Sequence, residues 1–223
     1  MVTRRSRAVQ AVIFDYGGVI RRDSREAYDA VDAAQGLARG TLWEVFHDIP
    51  EYRLSRNGTI DRDTFRAAIR RVLSQRTGEA RADSALAAFD ANMAALPPVD
   101  PDMQTLLEQL RAAGRVKLGM LSNGPRGYTA RLRDQGVTAF FDDAFVTGDV
   151  GLQKPDVDVF HFAARRLGVE PGACLMIDDQ ARNIEGAKAA GLHTHFFEAD
   201  GPAALRAPRR GWRAGLSRAT ARR

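Results

Sequence analysis

The residue whose side chain is best suited to take part in a reaction directly follows a buried strand. The apolar run AVIF, residues 11–14, is typical of a buried strand and ends at the carboxylate of Asp15. Tyr16-Gly17-Gly18 then predicts a sharp turn. Open α/β sheets place their chemistry at the carboxyl ends of the strands. Asp15 is therefore a candidate nucleophile, although by itself it would be an ordinary turn residue.

Three further segments carry polar groups at or near strand ends. KLGMLSNG (117–124) is a strand pattern with a hydroxyl and an amide at its end, and GLQKPD (151–156) presents a lysine before an amphipathic segment. CLMIDDQARNIEGAKAAG (174–191) is an apolar strand that ends in an acidic pair. The candidate site residues in these segments are Ser122, Asn123, Lys154, Asp178, Asp179 and Asn183.

In this order, a carboxylate, a hydroxyl, a lysine and an acidic pair resemble the four motifs of the haloacid dehalogenase-like hydrolases, over roughly residues 9–197. That superfamily consists mostly of magnesium-dependent phosphatases. The resemblance implies that Asp15 attacks phosphorus and forms an aspartyl-phosphate, which splits one hard displacement into two easier ones. It also implies that Lys154 neutralises charge on the nucleophile and the phosphoryl group, and that the Ser122 hydroxyl and the Asn123 backbone N–H hold phosphoryl oxygens.

The same resemblance implies a Mg²⁺ cofactor. Mg²⁺ prefers hard oxygen ligands in an octahedron, and Asp15, Asp179 and the main-chain carbonyl of Gly17 are the expected ligands. Asp178 and Asn183 are expected to stand behind those ligands, where Asp178 orders bound water. A helix N-cap is the alternative role for one member of the acidic pair.

The first motif departs from the common phosphatase pattern at one position. The family's phosphatases normally carry Asp-x-Asp there, and the second Asp is the general acid/base; here that position is Gly17. The chain resembles the subgroup that reads Asp-x-Gly-(Gly/Asn)-Val, which includes sugar-phosphate phosphatases. Because acid–base help is typically worth about 10²–10⁴-fold, we expect slow turnover or a substitute group. Asp23 could fold back from the following linker, but we expect it to be a solvated linker residue.

The strand patterns indicate an α/β fold with a Rossmann-like parallel sheet. Helical patterns fill the spaces between the later strands, which is typical of βα repeats. The expected strands lie at about residues 9–15, 116–122, 143–147, 173–178 and 193–197.

The segment after the first strand is expected to be all helical, with helices at about residues 24–37, 40–48, 61–77 and 82–96. Asp61 is a candidate N-cap of the third helix. The segment resembles the helical cap of many superfamily members. We therefore expect a core domain of residues 1–20 and 100–200, an inserted α-helical cap domain of residues 21–99, and a basic, disordered tail of residues 201–223.

Composition excludes several classes of protein. The 223-residue chain has a net charge of +5, but its ends carry the excess: residues 1–10 hold three arginines, residues 201–223 hold seven, and neither stretch has an acid. We expect these ends to be solubilising rather than to bind nucleic acid. No apolar run is long enough to span a membrane, and the single cysteine, Cys174, lies in an expected core strand. These features predict a cytoplasmic protein, and we expect it to be a monomer or homodimer.

The sequence thus predicts a capped, magnesium-dependent phosphatase-like hydrolase whose partner is a small phosphorylated metabolite. One alternative is a 2-haloacid dehalogenase, in which Asp15 would attack carbon without acid or metal. The pair Asp178-Asp179 argues against it, because that enzyme's fourth motif normally lacks the metal-binding acid. Another alternative is a catalytically impaired member of the superfamily that binds phosphate or a partner protein.

Overall fold

A five-stranded parallel sheet forms the centre of the protein in a computed structural model, which describes residues 8–23 and 25–198. The tail expected at residues 201–223 lies outside the described residues. The strands are β1 (Ala11–Phe14), β2 (Lys117–Ser122), β3 (Asp143–Val146), β4 (Cys174–Asp178) and β5 (His193–Phe196). The strand order is β3-β2-β1-β4-β5, so β1 lies in the middle between β2 and β4. The expected Rossmann-like parallel sheet is confirmed.

Helices cover both faces of this sheet. Side chains alternate along a strand, and in β1 Val12 and Phe14 join one apolar core while Ala11 and Ile13 join the other. The sheet's helices are α6 (Pro101–Ala113), α7 (Tyr128–Asp134), α8 (Thr147–Val150), α9 (Val157–Leu167) and α10 (Ala181–Ala189), with 3₁₀ turns at Val137–Phe140 and Pro171–Ala173. The first core includes Met103 of α6, and the second includes Phe160 of α9.

The segment between β1 and α6 is helical and has an apolar core of its own, whose buried members all fall between residues 28 and 89. Its helices are α1 (Arg25–Ala34), α2 (Thr41–His47), α3 (Pro50–Arg56), α4 (Arg62–Thr77) and α5 (Glu79–Ala95). Asp61 caps α4 as expected: its side chain accepts a hydrogen bond from the Thr64 N–H at 2.7 Å. The sequence did not predict α3.

Hydrogen bonds join this helical segment to the sheet region on one side. The Thr147 hydroxyl donates to the Arg56 carbonyl at 2.7 Å, and the Arg126 guanidinium donates to the Gly58 carbonyl at 3.0 Å. These contacts hold the helices beside the carboxyl ends of the strands, because Thr147 directly follows β3. Within residues 8–23 and 25–198, no helix combines the length and apolarity needed to cross a bilayer.

Candidate active site

Three adjacent strands deliver polar residues to one edge of the sheet. Asp15 directly follows β1, Ser122 is the last residue of β2, and Asp178 is the last residue of β4. The Asp15 N–H extends the ladder by donating to the Ile177 carbonyl at 2.9 Å. Asp15, Ser122 and Asp178 are all buried. The strand order therefore places three of the candidate residues at neighbouring positions on this edge.

Lys154 lies between two of these carboxylates. Its Nζ is 2.8 Å from Asp15 Oδ1 and 2.7 Å from Asp178 Oδ2, and its side chain is only 1 % exposed. Asp15 Oδ1 also accepts from the Tyr16 N–H at 2.7 Å. Neither contact uses Asp15 Oδ2, so one oxygen of the candidate nucleophile keeps its lone pairs for another ligand.

Asn123 fixes the backbone that carries this lysine. Its side-chain Oδ1 accepts from the Lys154 N–H at 2.9 Å, and its Nδ2 donates to the Lys154 carbonyl at 3.0 Å. This two-way contact ties the end of β2 to the loop before α9. The Asn123 side chain is thereby committed to Lys154, and its backbone N–H is the group left for the phosphoryl role that the sequence predicts.

Asp178 anchors the lysine from the other side. Its Oδ1 accepts from the Gln180 N–H at 2.8 Å and from Asn183 Nδ2 at 3.0 Å, while Oδ2 accepts from Lys154 and from Asn183. Both oxygens are therefore engaged. The Gln180 contact is not a helix cap, because Gln180 is itself the N-cap residue of α10, whereas a capping side chain accepts from the second or third helical N–H. Asn183 supports the site through Asp178.

Burial and charge act in opposite directions on the central pair. Burial raises the pKa of Asp15 well above its ordinary range, and the Lys154 ammonium acts against that rise. Burial alone would lower the pKa of Lys154, but the facing carboxylates of Asp15 and Asp178 raise it above its usual value. Lys154 is therefore a fixed positive charge that favours the anionic form of Asp15 against the effect of burial.

Asp179 completes an acidic group that fits a divalent cation. Asp15, Asp178 and Asp179 each offer a carboxylate oxygen, and these oxygens lie within 4.8 Å of one another. Asp179 Oδ1 is buried, and no group within residues 8–23 and 25–198 forms a hydrogen bond with it. Burial, and then Asp178, raise the pKa of Asp179 to about 6. An unpartnered buried oxygen among carboxylates is a donor set that suits Mg²⁺.

Gly18 leaves room for this acidic group. Its φ of 78° is in the left-handed region, and a Cβ there would overlap the Asp179 carboxylate. A side chain at position 18 would therefore be strained by its backbone and would displace a candidate metal ligand. Gly17, whose carbonyl is the third expected ligand, directly precedes it.

Asp23 lies beside the glycine turn of the site, which the sequence did not lead us to expect. We expected a solvated linker residue, and this is wrong: the side chain is partly buried, and its Oδ1 accepts from the Gly18 N–H at 2.8 Å. Burial raises the pKa of Asp23. The signal in the sequence was the glycine pair, because a tight turn after β1 can bring residues five or six positions apart together.

Comparisons with known proteins identify the family of this chain. The family model for haloacid dehalogenase-like hydrolases matches residues 9–191. A glyceraldehyde 3-phosphate phosphatase from Methanopyrus kandleri is 28% identical over 195 residues, which cover 83% of this chain and 82% of that protein. An (S)-2-haloacid dehalogenase from Burkholderia cepacia is 32% identical, but over only 42% of this chain and 41% of its own length.

Solved structures share the fold. A HAD family enzyme from Bacteroides thetaiotaomicron, crystallised in its wild-type form with magnesium and inorganic phosphate, has a TM-score of 0.62 and 20% identity, covering 86% of this chain and 96% of its own. A predicted HAD-like family hydrolase from Porphyromonas gingivalis has a TM-score of 0.65 and 22% identity, covering 97% of this chain and 100% of its own.

Proposed function

Because the chain belongs to the haloacid dehalogenase-like hydrolases, we propose that it is a magnesium-dependent phosphatase that acts on a small phosphorylated metabolite through an aspartyl-phosphate. The observation that carries this proposal is the group of Asp15, Lys154 and Asp179. It combines a carboxylate held by a buried ammonium with a second carboxylate that has an oxygen without a partner among the described residues. The phosphatase from Methanopyrus kandleri, which aligns over most of both chains, supports a phosphate ester as the substrate.

The residues of the site divide the work between binding and attack. Asp15 attacks phosphorus through the oxygen that Lys154 does not hold, and Lys154 balances the negative charge of the attacking carboxylate and the phosphoryl group. Ser122 donates its hydroxyl and Asn123 its backbone N–H to phosphoryl oxygens. Mg²⁺, held by Asp15, Asp179 and the Gly17 carbonyl, would supply charge neutralisation between the carboxylate and the phosphate. Asp178 and Asn183 keep the lysine in place.

The helical segment is proposed to close over this edge as a cap domain of residues 21–99, on a core domain of residues 1–20 and 100–200. We further propose that the protein works in the cytoplasm as a monomer or homodimer.

A panel of phosphorylated metabolites tests the proposed function. Purified protein is incubated with phosphorylated trioses, sugars, glycolate and serine, with Mg²⁺ or with EDTA, and released phosphate is measured. We expect release from at least one substrate with Mg²⁺ and none with EDTA. Asp15→Asn should reduce the rate by more than about 100-fold while the fold persists, because the nucleophile is lost.

Asp102→Asn is the matched control, because Asp102 is a half-exposed carboxylate on α6 whose ion pair is with Arg22. It should leave the rate unchanged. The protein could instead release chloride from 2-chloropropionate equally well with and without EDTA, and release no phosphate from any ester. That result would refute this proposal and support the dehalogenase alternative.

A further inference from the structure

The turn after β1 returns the chain over its own glycine pair. The N–H groups of Ile20 and Arg21 both donate to the Tyr16 carbonyl at 2.9 Å. The Gly18 N–H donates to the Arg21 carbonyl at 2.9 Å and to Asp23 Oδ1 at 2.8 Å. Six residues after Gly17, the chain therefore places a carboxyl group beside the turn that follows the candidate nucleophile.

This carboxyl group lies beside the position that a side chain at residue 17 would occupy. A Cβ on Gly17 would be 3.1 Å from Asp23 Oδ1, 3.4 Å from Oδ2 and 3.6 Å from Cγ. An aspartate at position 17 would carry its own oxygens two bonds beyond that Cβ, in the region where the Asp23 carboxyl group begins. Gly17 lies outside the left-handed region, so its backbone does not require glycine and the neighbouring carboxyl group is what limits a side chain there.

We propose that Asp23 is the proton donor and acceptor of the reaction and supplies from the linker the carboxyl group that residue 17 lacks. This assignment rests on the proposed phosphatase function. In the first half-reaction, Asp15 forms a bond to phosphorus, the bond to the leaving oxygen breaks, and the Asp23 proton passes to that oxygen. In the second, Asp23 takes a proton from water as the water oxygen bonds to phosphorus and the bond to Asp15 breaks, which releases phosphate and restores both carboxyl groups.

A purely structural role for Asp23 makes a different prediction, because its contact with the Gly18 N–H also stabilises the turn. Asparagine keeps an oxygen that accepts this hydrogen bond but has no proton to transfer, whereas alanine lacks both. If Asp23 only holds the turn, Asp23→Asn should behave like the wild type and Asp23→Ala should be impaired. If Asp23 transfers the proton, both variants should be impaired.

The experiment compares two leaving groups with these variants. With glycerol 2-phosphate, whose alkoxide needs a proton, Asp23→Asn should lower kcat by about 10²–10⁴-fold with little change in KM. With p-nitrophenyl phosphate, whose leaving group needs no proton, the variant should release one equivalent of nitrophenol at close to the wild-type rate. It should then slow, because attack of water on the aspartyl-phosphate still needs the base. Asp102→Asn should match the wild type in both assays.

A relocation variant keeps the proposal testable if the turn is sensitive to substitution. In Gly17→Asp combined with Asp23→Ala, the carboxyl group moves to position 17 and alanine leaves room for it. We expect this double variant to recover at least about tenfold over Asp23→Ala with glycerol 2-phosphate, a part of the usual gain from a positioned acid.

Two results bear on the two proposals separately. In the first result, the wild type releases phosphate from glycerol 2-phosphate and Asp23→Asn does so at a rate within about tenfold of it. This would overturn the assignment of Asp23 alone, since a positioned acid is worth more than about tenfold. A wild-type protein that releases phosphate from no ester would overturn the proposed function and this assignment with it.

Discussion

The buried lysine of the site should be essential for the stability of the metal-free protein as well as for turnover. Among the residues that the structure describes, Lys154 is the one cation that forms ion pairs with Asp15 and Asp178, and the side chains of all three are no more than 6 % exposed. Lys154→Met keeps an unbranched side chain and removes the charge. We expect the metal-free variant to fold less stably than the wild type at pH 8, because it leaves two buried carboxylates without their counter-charge.

The size of this effect follows from the burial of the group. Removing one partner of a buried ion pair costs about 3–5 kcal/mol, because the remaining charge stays out of water without compensation. Protonation can relieve this cost, since the pKa of Asp15 is already raised by burial and rises further without Lys154. A carboxyl group with a raised folded-state pKa contributes stability that is present at low pH and is lost as the pH rises. The deficit of Lys154→Met should therefore be largest at pH 8 and should shrink towards pH 4.

Urea unfolding followed by circular dichroism measures this deficit, in EDTA at several pH values and again with Mg²⁺. Lys188→Met is the matched control, because Lys188 pairs with Glu185 at 2.7 Å while both side chains are more than half exposed. The control should change the free energy of unfolding by less than about 1 kcal/mol. If Lys154→Met is as stable as Lys188→Met in EDTA at pH 8, the account of Lys154 as the counter-charge of a buried acidic group is refuted.

Three further predictions concern the metal site and the helical segment. Asp179→Ala should raise the Mg²⁺ concentration needed for half-maximal activity at least about tenfold, because one of few charged ligands is lost; an unchanged Mg²⁺ titration would contradict this. Gly18→Ala and Gly151→Ala both place a side chain at a left-handed φ, at a cost of about 1 kcal/mol of stability. Only the new side chain at position 18 would meet Asp179. Only Gly18→Ala should therefore also weaken the Mg²⁺-induced rise in melting temperature. Burial lowers the pKa of His47 to about 4. As the pH falls from 6.5 to 4, the free energy of unfolding of the wild type, measured with urea, should therefore fall by up to about 2 kcal/mol more than that of His47→Gln. Parallel pH profiles of the two proteins would refute this.

Much of the sheet could be predicted because its strands are continuous apolar runs. All five observed strands fall within the expected ranges, and the Asp61 cap of α4 was recognisable from local sequence. Helix α3 was missed for a physical reason. It is seven residues long and buries only Tyr52 and Ser55, so it shows too few apolar positions to reveal a helical period.

The acidic pair shows where local pattern stops being informative. Asp178 and Asp179 are neighbours in sequence and have the same side chain, but the direction of β4 gives them different partners. Asp178 is fully buried and is held by Lys154 and Asn183, while Asp179 keeps an oxygen to which no group in the described part of the chain donates. The resemblance to a family distinguished the two in advance, and periodicity alone would not have done so. Their assignment as support and metal ligand remains a prediction that the Asp179→Ala titration tests.

The glycine pair explains why the sequence could offer Asp23 as a substitute acid but could not favour it. A missing acid at position 17 indicates lost chemistry only if no other carboxyl group reaches that space, and this depends on the path of the chain after the turn. The two glycines serve different ends here: Gly18 is needed for its left-handed backbone and for the space beside Asp179, whereas Gly17 leaves space beside Asp23. The replacement comes from outside the β1 turn, and the Gly18 N–H holds it there through its hydrogen bond to Asp23 Oδ1. Its place at the site therefore depends on this contact, a dependence that an acid on the β1 turn itself would not have.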